Sequence, residues 1–442
     1  MKPKSFIISF LTLLLLVGSV LFIQSLDAET VEANMHLAGG AMTVKNRSYS
    51  SFERPASGLS DQELNRHTET DPLFDRSHIP LNEHLDAGLG PLHNANSCAA
   101  CHVLNGRGRS VKGQSLFRVA LREGGGKQPV PGIGFQLQDK AIFGYKPEGS
   151  VVRKWIEENG LRRLESHITN PDGTELPVKK VARSLRIAPP LIGMGLLEAI
   201  PESDLLALSD PEDLDGDGIS GRPVFNDNEK GPHKIGRFGW KAMPASVHQQ
   251  SVNAYQEDMG ITTPRTPESN LTEEGLPADL SWDELDGVTY YVQTLGVPAT
   301  AEKSNSRLVS QGGALFDNLQ CAACHVPNHH TGISKKAVAT VINNQEIWPY
   351  TDLLLHDMGS GLDDGVAENG LSESSEWRTA PLWGLGLAQR VNPYAGFLHD
   401  GRARTIEEAI LWHGGEAEKA KQRYVSMSSK EKNQLISWLK QL

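Results

Sequence analysis

Cys98-Ala-Ala-Cys101-His102-Val103 and Cys321-Ala-Ala-Cys324-His325-Val326 are the same six residues met twice, and together they hold all four cysteines of the 442-residue chain. Three chemistries use paired cysteines at this spacing: a redox dithiol, a shared zinc site, and covalent attachment of a c-type haem. The histidines decide between them. A redox dithiol needs no histidine at that place and sits in a βαβ context that is absent here, and four thiolates would hold zinc without His102 or His325. Haem attachment gives every residue a role, since two thiols form thioethers with the vinyl groups and the adjacent imidazole ligates iron. The sequence therefore predicts two covalently bound haem c groups, held by Cys98, Cys101 and His102 and by Cys321, Cys324 and His325.

Working outward, a second block also repeats. Arg186-Ile-Ala-Pro-Pro-Leu-Ile-Gly-Met-Gly-Leu196 resembles Arg378-Thr-Ala-Pro-Leu-Trp-Gly-Leu-Gly-Leu387, each downstream of its own cysteine motif. The chain reads as a duplication. Each half ends on a predicted helix with a capping box, Ser281 to Glu284 ahead of Leu285, Val288, Tyr291 and Val292, and Ser428 to Glu431 ahead of Leu435, Ile436 and Leu439. Gly296 to Ser306, small and polar without apolar periodicity, reads as the linker. Gly312 to Phe316 reads as a short helix leading into the second motif. The expected fold is mainly α, with two cytochrome c-like domains at residues 34–300 and 301–442. An insertion at about 120–270 enlarges the first, and His167 to Val178 is predicted to form a hairpin turning at Pro171-Asp172-Gly173.

Lys2 and Lys4 precede an apolar run from Phe6 to Ile23, with small residues following at Ala28 and Ala33. Residues 1–33 thus read as a signal peptide or an N-terminal anchor, which places the rest in a periplasm. A formal net charge of -11 argues against nucleic acid as a partner.

Thr351 to Gly359 (TDLLLHDMG) and Phe397 to Glu408 (FLHDGRARTIEE), taken with both haem motifs and both Ala-Pro blocks, complete a pattern. On these residues the chain resembles the di-haem oxidoreductases, relatives of the bacterial di-haem cytochrome c peroxidases. The resemblance covers most of the chain from about residue 75 and is densest after residue 310. It implies an oxidant such as peroxide reacting at the first haem and electrons relayed through the second. The implied partner is an electron-donor protein such as a small cytochrome or a cupredoxin.

The resemblance also suggests further ligands. Where the peroxidases carry a methionine on the far side of the second haem, this sequence has His413. Thr405 to Glu408 reads as a capping box, after which Ile406, Ala409, Ile410 and His413 share one helical face. His413 is thus expected to ligate the second iron and lower its potential relative to a His/Met haem. Met358 and His399 are rival ligands, and the bland reading is a core histidine bonded to a backbone carbonyl. At the first haem, Glu198 is the expected proton acceptor, with Gln136 and Gln138 as alternative amides and His93 as a ligand that would close the iron.

Asp213, Asp215 and Asp217 take positions 1, 3 and 5 of a calcium loop, with Gly218 at position 6. Val224 stands where the twelfth-position glutamate belongs, so an ion would need Asp227 or backbone oxygens; an acidic turn held by Asx hydrogen bonds is the rival reading. The expected function is an exported, peroxidase-like di-haem oxidoreductase. A di-haem electron carrier with both irons six-coordinate is the alternative.

Overall fold

The structure, a computed structural model, describes residues 36–80, 88–226, 234–266, 278–301, 307–334 and 339–442. The apolar leader, Asp227 and linker residues 302–306 lie outside them.

The expectation of a mainly α chain is overturned, since the structure is 32% helix and 18% strand, the strand divided among many small sheets. The largest share of that strand lies between residues 115 and 187. Ser115–Leu121 is the centre of a three-stranded antiparallel sheet, flanked by Gln136–Leu137 and Val181–Ile187. Beside it Ser150–Glu158 pairs with Leu161–Thr169 in a long hairpin closed at Asn159-Gly160. Both turn residues have positive φ, 53° and 78°, the pattern that Asn-Gly supplies at least cost and that matches the twist of the strands. The predicted turn at Pro171-Asp172-Gly173 is also present, with Thr169 bridged to Glu175 and Thr174 N–H donating to Asp172. This strand region has its own core of Phe117, Val119, Leu137, Ile168 and Leu185.

Two helix pairs form the rest of the frame. Asp61–Asp75 packs on Trp282–Gln293, and Arg307–Asn318 packs on Ser429–Leu439. The capping boxes at Ser281/Glu284 and Ser428/Glu431 are complete, and a third at Ser60/Glu63 opens the Asp61–Asp75 helix. Each such cap stabilises its helix by about 1 kcal/mol. In both pairs a glycine permits the close crossing: a Cβ on Gly287 would come 2.6 Å from Leu73 Cδ1, and one on Gly312 would come 2.4 Å from Trp438 Cβ. The buried apolar residues of both pairs merge into one cluster running from Ala38 to Leu442, so the two halves share a core.

Candidate functional site

Each cysteine motif opens onto its own cavity. The first, about 250 Å³, is lined by Cys98, Cys101 and His102, and the second, about 230 Å³, by Cys321, Cys324 and His325. The two cysteine pairs therefore do not converge, which removes a shared four-thiolate metal site. Burial pushes the Cys98, Cys101 and Cys321 thiols up to about 12 and raises Cys324, so these are not the activated thiolates of a redox dithiol.

The two histidines are held alike. His102 Nδ1–H donates to Pro189 O at 2.8 Å, a carbonyl of the first Ala-Pro block, and His325 Nδ1–H donates to Tyr350 O at 2.9 Å. A carbonyl only accepts, so the proton sits on Nδ1 and the Nε2 lone pair is left for a metal. Burial lowers both imidazoles to about 4, keeping them neutral as a ligand must be. Each ring also meets a phenylalanine in the same way: Phe74 lies 6.3 Å from His102 at 58°, and Phe316 lies 6.3 Å from His325 at 56°. The duplication read from sequence thus extends to the surroundings of each imidazole.

The second cavity also contains His413, whose helical neighbours Ile406, Ala409 and Ile410 line it too. Thr405 caps the Ile406–Trp412 helix through Glu408 N–H, and His413 is the residue just past its end. The Glu408 carboxylate turns to Arg404 instead of completing the box. His413 Nδ1–H donates to Ala409 O at 2.7 Å, again leaving Nε2 available, and burial lowers its pKa. One arrangement thus satisfies both readings, a histidine bonded to a backbone carbonyl and one whose Nε2 could bind a metal. Of the rivals, His399 stacks on Trp377 with ring centroids 3.7 Å apart, while Met358 remains on the wall. His356 lies between Asp352 at 2.7 Å and Glu416 at 2.6 Å, which hold it protonated and unfit to bind a metal.

Among the described residues lining the first cavity, His102 is the one histidine. His93 is buried elsewhere, its Nδ1–H on Gly90 O. Glu198 is not on the wall either: its carboxylate accepts from Val247 N–H and from Gln293. Gln136 and Gln138 also lie off the wall, both donating to Glu257 O. The wall carries Glu257 and Asp258 instead, presented by a π-turn at Ala254–Asp258 that extends the Val247–Asn253 helix. Glu257 pairs with Arg118 at 2.5 Å. Asp258 accepts from Gln136 at 2.8 Å, and burial raises its carboxyl to about 6. No local pattern in the sequence marks this pair, because the adjacent acids acquire meaning only when the helix folds over Cys98.

The cavities meet at a common wall, lined on both sides by Arg107, Trp240, Arg378, Ala380 and Pro381. Trp240 is fixed there by its Nε1–H donating to Ile187 O at 2.8 Å. The repeated Ala-Pro block supplies Arg378, Ala380 and Pro381 of this wall, and the dense Gly236-Arg-Phe-Gly-Trp-Lys241 run supplies Trp240.

The acidic loop groups Asp213 and Asp215 with Asp210, not with Asp217, their oxygens lying within 4.8 Å of one another. Asp210, Asp213, Asp215 and Asp217 each accept backbone N–H groups of the loop, and Val224 is buried in the core. Turn hydrogen bonds account for the loop's shape.

The profile of the family described as "Di-haem oxidoreductase, putative peroxidase" matches residues 32–126 and 162–442. No curated protein matches the chain.

Proposed function

The chain belongs to the di-haem oxidoreductase family, and from that premise we propose a peroxidase-like enzyme that binds one haem c in each cavity. One observation carries this reading: two cavities of nearly equal size each present a cysteine pair and a neutral imidazole whose Nδ1 is committed to a carbonyl. The residues fit the group, since the cysteines would supply the thioethers, Nε2 of His102 or His325 would bind the metal, and largely apolar walls would surround the macrocycle. A bound haem supplies electron exchange and peroxide-bond chemistry.

The remaining steps belong to the chain. Among the described residues the first cavity offers one histidine, His102, which would suit that site to admit a small oxidant, and Asp258 would hold or accept its proton. His325 and His413 both line the second cavity and would both hold the metal there, which would suit that site to relay electrons. Trp240 packs between the two sites. The proposal includes a periplasmic setting, following from the leader, and a small electron-donor protein such as a cytochrome or cupredoxin.

Holoprotein made with a cytochrome assembly system should carry two haems per chain that survive denaturing electrophoresis. Its spectra should show one high-spin and one low-spin iron, with the high-spin signal responding to one equivalent of peroxide. Two low-spin, unreactive irons would make the chain an electron carrier, and colourless protein would end the reading.

A further inference from the structure

Arg107 and Arg378 are 8% exposed and stand on the wall between the two cavities. Arg107 donates from Nε to Gly396 O at 3.0 Å and from Nη2 to Leu398 O at 2.7 Å. Arg378 donates from Nε to Gly239 O at 2.8 Å and from Nη1 to Thr379 O at 3.0 Å. Neither forms an ion pair with a carboxylate among the described residues. Asp352, which attracts Arg378 from a distance, is committed to His356.

Two of the other three arginines on these cavities are treated differently, while Arg237, which lines the first cavity alone, also donates to carbonyls, those of Leu197, Glu198 and Ile200. Arg186 is paired with Asp364 at 2.7 Å and Glu368 at 3.4 Å, and Arg118 with Glu257. Burying a guanidinium is costly unless an anion answers it, and a planar fork with five donors is shaped for a carboxylate. A chain of net charge -11 has acids to spare, yet among the described residues it places none against these two. Among the described residues, an anion for these two guanidiniums is left to whatever the cavities bind.

We propose that Arg107 and Arg378 bind haem propionates from the wall common to both sites. The assignment rests on the reading that each cavity holds a haem. The thioethers fix one edge of each macrocycle, and the propionates extend from the opposite edge. Neither cysteine pair lies on the shared wall, whereas both arginines do. Because each guanidinium borders both cavities, its charge acts on both irons, and the two potentials are set together.

The test compares wild-type holoprotein with Arg107→Gln, Arg378→Gln and Arg107→Lys, reading haem content and the midpoint potential of each iron by spectroelectrochemical titration. Removing a cation favours the ferric state, so each Gln variant should lower both potentials. Arg107→Lys should recover most of the shift. A change at one iron alone, or at neither, overturns the assignment.

If a variant fails to load haem, the wild type still answers by resonance Raman. Propionate bands held by arginine should stay unchanged as pH falls through the ordinary carboxylic acid range, and free titration of those bands overturns the proposal. Fewer than two haems in wild-type protein would instead defeat the underlying reading of the cavities.

Discussion

Gly193 and Trp383 occupy each other's space: a Cβ on Gly193 would lie 2.4 Å from Trp383 Cζ2. The relation is reciprocal across the duplicated Ala-Pro blocks. Ile192-Gly193 of the first corresponds to Trp383-Gly384 of the second, and a Cβ on Gly384 would lie 2.7 Å from Ile192 Cδ1. Both glycines have left-handed backbone, φ 68° and 69°. The blocks thus meet as a pseudo-twofold contact in which equivalent positions exchange partners.

Gly193→Ala should therefore be severe, combining a left-handed backbone cost with overpacking against an indole, together about 2–4 kcal/mol. Gly173→Ala is the control. Its φ is 86° but nothing lies within 4 Å, so only the backbone cost, about 1 kcal/mol, should appear. Denaturant midpoints of the two variants, read beside the wild type, check the difference.

Asp258 predicts a pH dependence. Its carboxyl rises from 3.8 to about 6 on folding, through burial, so the protonated form is the one the fold favours. That contribution to stability is complete below 3.8 and is lost as pH climbs through about 6. Proton acceptance needs the ionised form, so peroxide consumption should increase across the same interval. Asp258→Asn should remove the pH step and lower the rate by about 10²–10³-fold. Its stability at neutral pH should equal or exceed the wild type, because an amide has no buried charge to carry. A variant that loses rate and stability together would point to a structural carboxylate.

His413→Ala should convert the low-spin signal of the second site to high-spin, whereas His399→Ala should leave it low-spin because His399 is stacked on Trp377. His413→Met offers a thioether in place of the imidazole and should raise the potential of that site. Electronic and paramagnetic resonance spectra of the three variants separate these outcomes.

What is legible in the sequence is local chemistry. The repeated cysteine motif, the caps at Ser281 and Ser428, and the apolar face leading to His413 each lie within about two helical turns, and each recurs in the structure. Two further local signals become plain beside the structure: the Ser60/Glu63 box, which opens the first half's counterpart of the Arg307–Asn318 helix, and Asn159-Gly160, the turn of the longest hairpin. The helix is obscured because the phenylalanine tilted against its histidine, Phe74, lies 24 positions before Cys98, whereas Phe316 lies 5 before Cys321. Position after the Ala-Pro block favours Glu198, but the chain turns it toward Gln293 and brings Asp258 in from a distant helix. The shared wall joins Arg107, Trp240 and Arg378, residues hundreds of positions apart at the extremes, which no periodicity can associate.

Trp240 and Trp377 provide the last contrast. Trp240 lines both cavities, while Trp377 lines only the second. Lys241 Nζ stands 3.9 Å from the centre of the Trp377 ring and the Arg186 guanidinium 4.3 Å from it. Cations over an indole hold its electrons more tightly and oppose their loss. Over the Trp240 ring stands the Arg107 guanidinium, farther off at 5.5 Å. Position and electrostatics both favour Trp240 as the bridge. Trp240→Phe should slow electron transfer between the sites on the order of tenfold, about 1.4 kcal/mol in barrier terms, with spin states and potentials unchanged. Trp377→Phe should leave that rate alone. Stopped-flow reoxidation of the second site after peroxide is added to the reduced protein reads both. Equal slowing by the two variants would show that the rate responds to packing of the wall, not to an indole at residue 240.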